Sequence, residues 1–156
     1  MSCDLALAYN PATMRCDLVW NGRDFVLDPT PATTMLMALL GRRRAHPDDV
    51  VPDSSPAAAL APSSLSSRGG WPGDALDPQG RLAGSRLWLI GAAKATEQTR
   101  RRAEDYASEG LERVEIDNGL AIAVRVTWSQ ILVGGKALQI HAAAGATAVA
   151  VKQMVG

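Results

Sequence analysis

Asp117-Asn118-Gly119-Leu120-Ala121-Ile122-Ala123-Val124-Arg125-Val126-Thr127-Trp128 is where one periodicity gives way to another. From Leu120 onward, Leu120, Ile122, Val124, Val126 and Trp128 alternate with Ala121, Ala123, Arg125 and Thr127. That is the period of a strand with one buried face. Upstream, Ala103, Tyr106, Ala107, Leu111 and Val114 recur every three or four positions, the apolar stripe of a helix. Asp117-Asn118-Gly119 stops that helix, because Asn or Gly can take the left-handed cap.

The alternation continues toward the C-terminus. Leu138, Ile140 and Ala142 alternate with Gln139 and His141, and Thr147, Val149 and Val151 alternate with small residues. Gly134-Gly135 and Gly145 separate three strands of a meander. Ile131-Leu132-Val133 is an apolar run that extends a strand or touches a partner. Upstream, Thr96 is the expected cap of the long helix. Its outer face carries Glu97/Arg101, Arg100/Glu104 and Arg101/Asp105 at i,i+4, each worth about 0.2–0.5 kcal/mol, a solvated face. Ser85 to Ala93 is expected to be helical as well.

The N-terminus predicts a small meander. Leu5, Leu7 and Tyr9 alternate with alanines, and Asn10-Pro11-Ala12-Thr13 is a turn. Asn21-Gly22 predicts a two-residue hairpin loop. That register sets Trp20 opposite Arg23, Leu18 opposite Phe25 and Cys16 opposite Leu27. It places Cys16, Leu18, Trp20, Phe25 and Leu27 on one face. Thr30 then caps a helix with Pro31 at its first position. Met35 to Leu40 is apolar nearly all round and predicts a buried helix, closed by Gly41 and Arg42-Arg43-Arg44.

Residues 47–83 change character. Pro47, Pro52, Pro56, Pro62 and Pro72 lie among dense Ser and Gly. A long loop is expected, interrupted by one turn at Ala57–Leu60. It either wraps a neighbour or lies over its own core, with Trp71 as anchor. The expected organisation is a single α+β domain over 1–156: an N-terminal β-meander, a buried helix, the loop, two helices and a C-terminal antiparallel β-meander.

Composition excludes several function classes. The 47% apolar content is too high for a disordered chain, and 16 basic residues balance 16 acidic ones. No concentrated positive surface for nucleic acid is expected. No run of about 18 apolar residues suggests a membrane span. Asp4 stands where a secretory leader would carry Lys or Arg, so export by that route is not expected. Cys3 and Cys16 are not in a Cys-x-x-Cys pair and lie far from His46 and His141. They read as reduced thiols, with no metal site and no cofactor.

Catalytic signatures are equally sparse. Gly134-Gly135-Lys136 follows Gln130 where a phosphate loop has Gly, and Ala137 stands in place of the magnesium-holding Ser or Thr. Gly84-Ser85 is no nucleophile elbow. Asp48-Asp49 and Asp74/Asp77 are the remaining carboxylate pairs, and neighbouring loop carboxylates are usually solvated. The chain is expected not to be an enzyme. The basic run Arg42-Arg43-Arg44 reads first as a helix end and a salt-bridge cluster with Asp48 and Asp49. Trp71 and Trp88 read as residues that pin a loop to a core.

Several stretches together resemble the Mu-type phage baseplate protein family. They are the Asn-Pro-x-Thr turn at 10–13 and Leu-Val-Trp-Asn-Gly-Arg-Asp at 18–24. With them go the apolar helix ending in basic residues, Thr34 to Ala45, and Pro47-Asp48-Asp49. Arg-Gly-Gly-Trp-Pro-Gly-Asp at 68–74, Gly-Ser-Arg-Leu-Trp-Leu at 84–89 and Lys-Ala-Thr-Glu at 94–97 follow, then the C-terminal meander. That family is similar to the small wedge and sheath-initiator proteins of contractile tails and type VI secretion baseplates.

The resemblance implies a structural protein of a virion or particle tail baseplate, assembled in host cytoplasm in many symmetric copies. Implied partners are larger wedge subunits, the tail sheath protein and tube or hub proteins. The implied mechanism is addition of a partner strand to a sheet edge. The residues expected to meet partners are Arg42, Arg43, Arg44, Arg68, Trp71, Arg86, Val149 and Val151, with Ala146 to Lys152 as the edge. The alternatives are a tail-associated, lysozyme-like hydrolase and a cytoplasmic adaptor.

Overall fold

The computed structural model describes residues 4–52, 68–130 and 135–156. The fold is α+β. Four short strands, β1 (Asp4–Leu5), β2 (Leu7–Asn10), β3 (Arg15–Leu18) and β4 (Leu27–Asp28), precede helix α1 (Ala32–Leu40). Two 3-10 turns follow, Pro72–Leu76 and Leu87–Ala92. Helix α2 (Glu97–Asn118) then leads into the meander β5 (Ala123–Gln130), β6 (Lys136–Ala144) and β7 (Thr147–Val155). The expected turn at Ala57–Leu60, together with Cys3, Ile131-Leu132-Val133 and Gly134, lies outside the described residues.

The second half forms much as its periodicity predicts. The Thr96 hydroxyl accepts from the Thr99 amide at 3.2 Å, and Gly119 adopts φ 62°, so α2 is capped at both ends. Its stripe, Ala103, Tyr106, Ala107, Leu111 and Val114, is buried. The solvated face keeps Glu97/Arg101 and Arg100/Glu104, while Arg101 and Asp105 make no ion pair. The strand after Gly119 starts three residues later than the alternation, at Ala123. β5, β6 and β7 are antiparallel in that order, with Val126, Ile140 and Val151 side by side on the face that covers the helices. The expected helix at 85–93 is a shorter 3-10 turn, whose Leu87, Leu89 and Ile90 are buried.

The N-terminal hairpin departs from expectation. Trp20 opposes Phe25, not Arg23, so the pairing slips by two residues. The cause is Asn21. Its side-chain oxygen accepts from the Arg23 and Asp24 amides, both at 2.9 Å, and opens the loop to residues 21–24. Only Gly22 of the Asn-Gly pair takes positive φ. Cys16 therefore faces Tyr9, and Leu27 faces Leu5. A slip of two preserves the face, and the Trp20 and Phe25 rings meet edge to face at 5.2 Å.

Helix α1 is capped from further back than Thr30. The Asp28 carboxylate accepts from the Thr33 amide at 3.0 Å and from the Thr30 amide at 2.8 Å. Thr30 contributes one bond, accepting from the Ala32 amide. The helix is not buried all round, since Met35, Leu36 and Leu39 enter the core while Met37 and Leu40 face out. Gly41 is extended, so the three arginines leave the helix axis. Residues 41–45 instead run between two other segments. Ser85 donates to Gly41 and Arg43 to Ser85 on one side; Gly70 donates to Arg42 and Ala45 to Arg68 on the other. Residues 68–70 and Val51 of the long loop thus lie on the chain's own core.

Candidate partner-binding surface

The residues around the basic run divide into those held inside and those left free. The Arg86 guanidinium bonds Glu109 at 2.8 Å and Asp49 at 3.0 Å, and stacks 4.4 Å over the Tyr106 ring. Arg43 reaches the same Glu109 at 3.5 Å. Burial pushes the Asp49 carboxyl up, but the His46 amide and the Arg86 guanidinium outweigh that and hold it below its ordinary value. Arg68 donates to the His46 carbonyl. Arg43, Arg68 and Arg86 are therefore occupied within the chain. Arg44 is exposed, and Arg42 stacks 4.4 Å over Trp88.

The two tryptophans separate in the same way. The Trp88 indole donates to the Arg43 carbonyl at 2.9 Å, and a methyl group at Gly69 would lie 3.0 Å from its ring. Trp88 is the anchor. Trp71 is 61% exposed and folds back over Gly73. It lines an open groove of about 500 Å³ with Met37, Ala38, Arg42, Leu82 and Arg113.

Nearby carboxylates are already engaged. Asp74 accepts from the Ala83 amide, and Asp77 pairs with Arg81 at 3.2 Å and Arg113 at 3.5 Å. The Gln79 amide and then the two arginines lower the Asp77 pKa against some burial, whereas a hydrolase's general acid needs it raised. No cluster of three or more metal-ligating side chains occurs among the described residues. No helix among them is long and apolar enough to cross a membrane.

Val149 and Val151 point inward, at 8% and 2% exposure. What β7 presents outward is backbone. In an antiparallel ladder, alternate residues turn both N–H and C=O to the same side. Tyr9 marks the outer side at Lys152: its hydroxyl accepts from the Lys152 amide at 2.8 Å and donates to the Lys152 carbonyl at 3.3 Å. Ala148 and Ala150 face the same way, and nothing among the described residues bonds their outward groups. The other edge, β5, is covered at Val126, whose carbonyl accepts from Arg100.

A second exposed feature is the hairpin. Leu5, Leu18, Trp20, Phe25 and Leu27 are exposed on it, Trp20 to 55%. Exposed apolar side chains gathered like this mark contact surfaces. The sequence placed most of these residues on one face but carries no sign that the face is left uncovered. Glu109 and Tyr9 were also missed, since each acts across a long sequence separation.

Comparison with known proteins gives two matches. A family model described as phage protein GP46 matches residues 31–148, from α1 to the first residues of β7. The hairpin and most of β7 lie outside that match. The chain is also similar to the baseplate protein gp46 of Escherichia phage Mu, 37% identical over 109 residues, which cover 70% of this chain and 66% of that protein. The chain thus spans about two thirds of that relative's length. No solved structure matches the chain.

Proposed function

Because the chain belongs to the phage protein GP46 family, we propose that it is a structural baseplate subunit of a contractile phage tail or tail-like particle. It joins the inner wedge to the tail sheath and acts as one unit over 1–156. The observation that carries this reading is the β7 edge, where Ala148 and Ala150 turn outward backbone groups that nothing among the described residues bonds, beside small side chains. An extended partner segment gains main-chain hydrogen bonds there without displacing bulky residues. The exposed hairpin face, with the groove at Trp71, Arg42 and exposed Arg44, meets larger wedge subunits or tube and hub proteins. Many copies in a symmetric ring make weak single contacts cumulative. The particle's tail baseplate, built in host cytoplasm, is the site of action.

The test is Ala150→Pro. Proline removes one outward N–H and leaves the bonds to β6 in place, which an edge strand tolerates. Co-sedimentation with the sheath protein of the same particle is expected to fall at least tenfold, with unchanged circular dichroism. Wild-type binding by this variant overturns strand addition at β7. A Trp20→Glu, Phe25→Glu double variant is expected to keep sheath binding and lose assembly with wedge subunits.

A further inference from the structure

The two edges of the C-terminal sheet are each closed at one point, by elements of different kinds. Val126 on β5 is covered by Arg100, a side chain of the long core helix α2. Lys152 on β7 is covered by Tyr9, which belongs to the small hairpin β2–β3. The Tyr9 hydroxyl engages both the N–H and the C=O of Lys152, the two groups that one residue of an added strand would use. Burial raises the phenol above its ordinary 10.0, so at neutral pH the hydroxyl keeps the proton that it donates.

The hairpin that carries Tyr9 packs Leu7, Tyr9 and Cys16 against the core and leaves its other face open. β2 is joined to α1 by the Leu7 amide on the Thr33 hydroxyl at 3.1 Å, and its Ala8 and Asn10 side chains are exposed. Beyond Leu18, at the end of β3, the chain runs on into the exposed apolar residues Trp20, Phe25 and Leu27. A partner seated there would therefore grip the chain that continues from the element closing β7.

We infer that Tyr9 is an edge guard: in the free subunit it closes β7 at Lys152, and strand addition along β7 lifts the β2–β3 hairpin away. The inference rests on strand addition at β7, the reading proposed above. Ala148 and Ala150 receive the first residues of the partner strand. Extension past Ala150 breaks the two Tyr9 bonds. The guard also gives the free chain protection against edge-to-edge pairing of its own copies.

The experiment uses the full chain and the sheath protein of the same particle. Tyr9→Phe keeps the ring and removes both bonds. It is expected to bind sheath about tenfold more tightly, because two hydrogen bonds no longer have to be broken. Exchange of the Lys152 amide in the free variant is expected to be faster than in wild type. In the wild-type complex, Lys152 stays protected while amides of β2 and β3 exchange faster than in the free chain. Sheath affinity that is unchanged or weaker in Tyr9→Phe, with Ala150→Pro still defective, overturns the guard alone. Undiminished protection of β2 and β3 in the complex overturns it as well. Wild-type binding by Ala150→Pro overturns strand addition and the guard together. A lower melting temperature in Tyr9→Phe without a change in affinity marks Tyr9 as a packing residue only.

Discussion

The Trp88 indole is fixed by a hydrogen bond to the Arg43 carbonyl, by the Arg42 guanidinium over its face and by Gly69 against its edge. Trp71, in a motif of the same make-up, has no comparable set of contacts among the described residues and is 61% exposed. Trp88→Ala is expected to cost about 3 kcal/mol, as for other large aromatic truncations, and Trp71→Ala less than about 0.5 kcal/mol. Urea unfolding of the two variants checks this, and equal losses would refute it. The charge network makes a second prediction. Asp49 is lowered in the folded chain, so its contribution is complete above the unfolded carboxyl value of about 4 and disappears as pH falls through the lower native value. Asp49→Asn is expected to unfold more easily than wild type at pH 7, with the gap closing as pH falls through and below the lowered native value. A pH-independent gap would show that packing, not charge, is responsible.

Helix α2 was legible almost to the residue, because its cap, stripe and stop are local signals. One of its residues was not. Gly110 sits mid-helix, where alanine is ordinarily favoured by about 1 kcal/mol. Here a Cβ would fall 2.8 Å from the Ser85 Cβ and 3.2 Å from the Gly84 carbonyl oxygen. Gly110→Ala is therefore expected to destabilise the chain despite the better propensity, read as a lower melting temperature; a rise would mean the 84–85 segment gives way freely. The hairpin was legible in face and not in register. Asn-Gly signals a tight turn, but Asn21 spends its side chain on the amides of Arg23 and Asp24, and a longer loop wins. The run 41–45 was read as a helix end because arginines suit one. Its hydrogen bonds to 68–70 and 84–85 come from segments far along the chain, which no local pattern announces.

For the molecule as a whole, β7 is both core and edge. Removing residues from Ala146 onward would take Val149, Val151 and Val155 out of the buried set, along with the pairing partner of all of β6. That truncation is expected to abolish the cooperative thermal transition, so its failure to bind sheath would say nothing about docking. Ala150→Pro is expected to melt within a few degrees of wild type and is the variant that separates edge from core. A truncated chain with a native-like transition would contradict this account of the core.

The sequence by itself determined the α+β class, the caps and stripe of α2, the three-strand meander and a resemblance concentrated in the segments around Trp71 and Trp88. All of these rest on periodicity, capping and turn chemistry within a few residues of one another. Only the tertiary structure decided which arginines are already paired, that Trp88 anchors while Trp71 stands free, that Val149 and Val151 face the core, and that Tyr9 closes the edge of β7. The hydrogen bonds behind those outcomes join residues 22 to 143 positions apart, such as Arg68 with His46 and Tyr9 with Lys152. Packing brings such pairs together, and nothing in either residue's neighbourhood along the chain encodes the meeting.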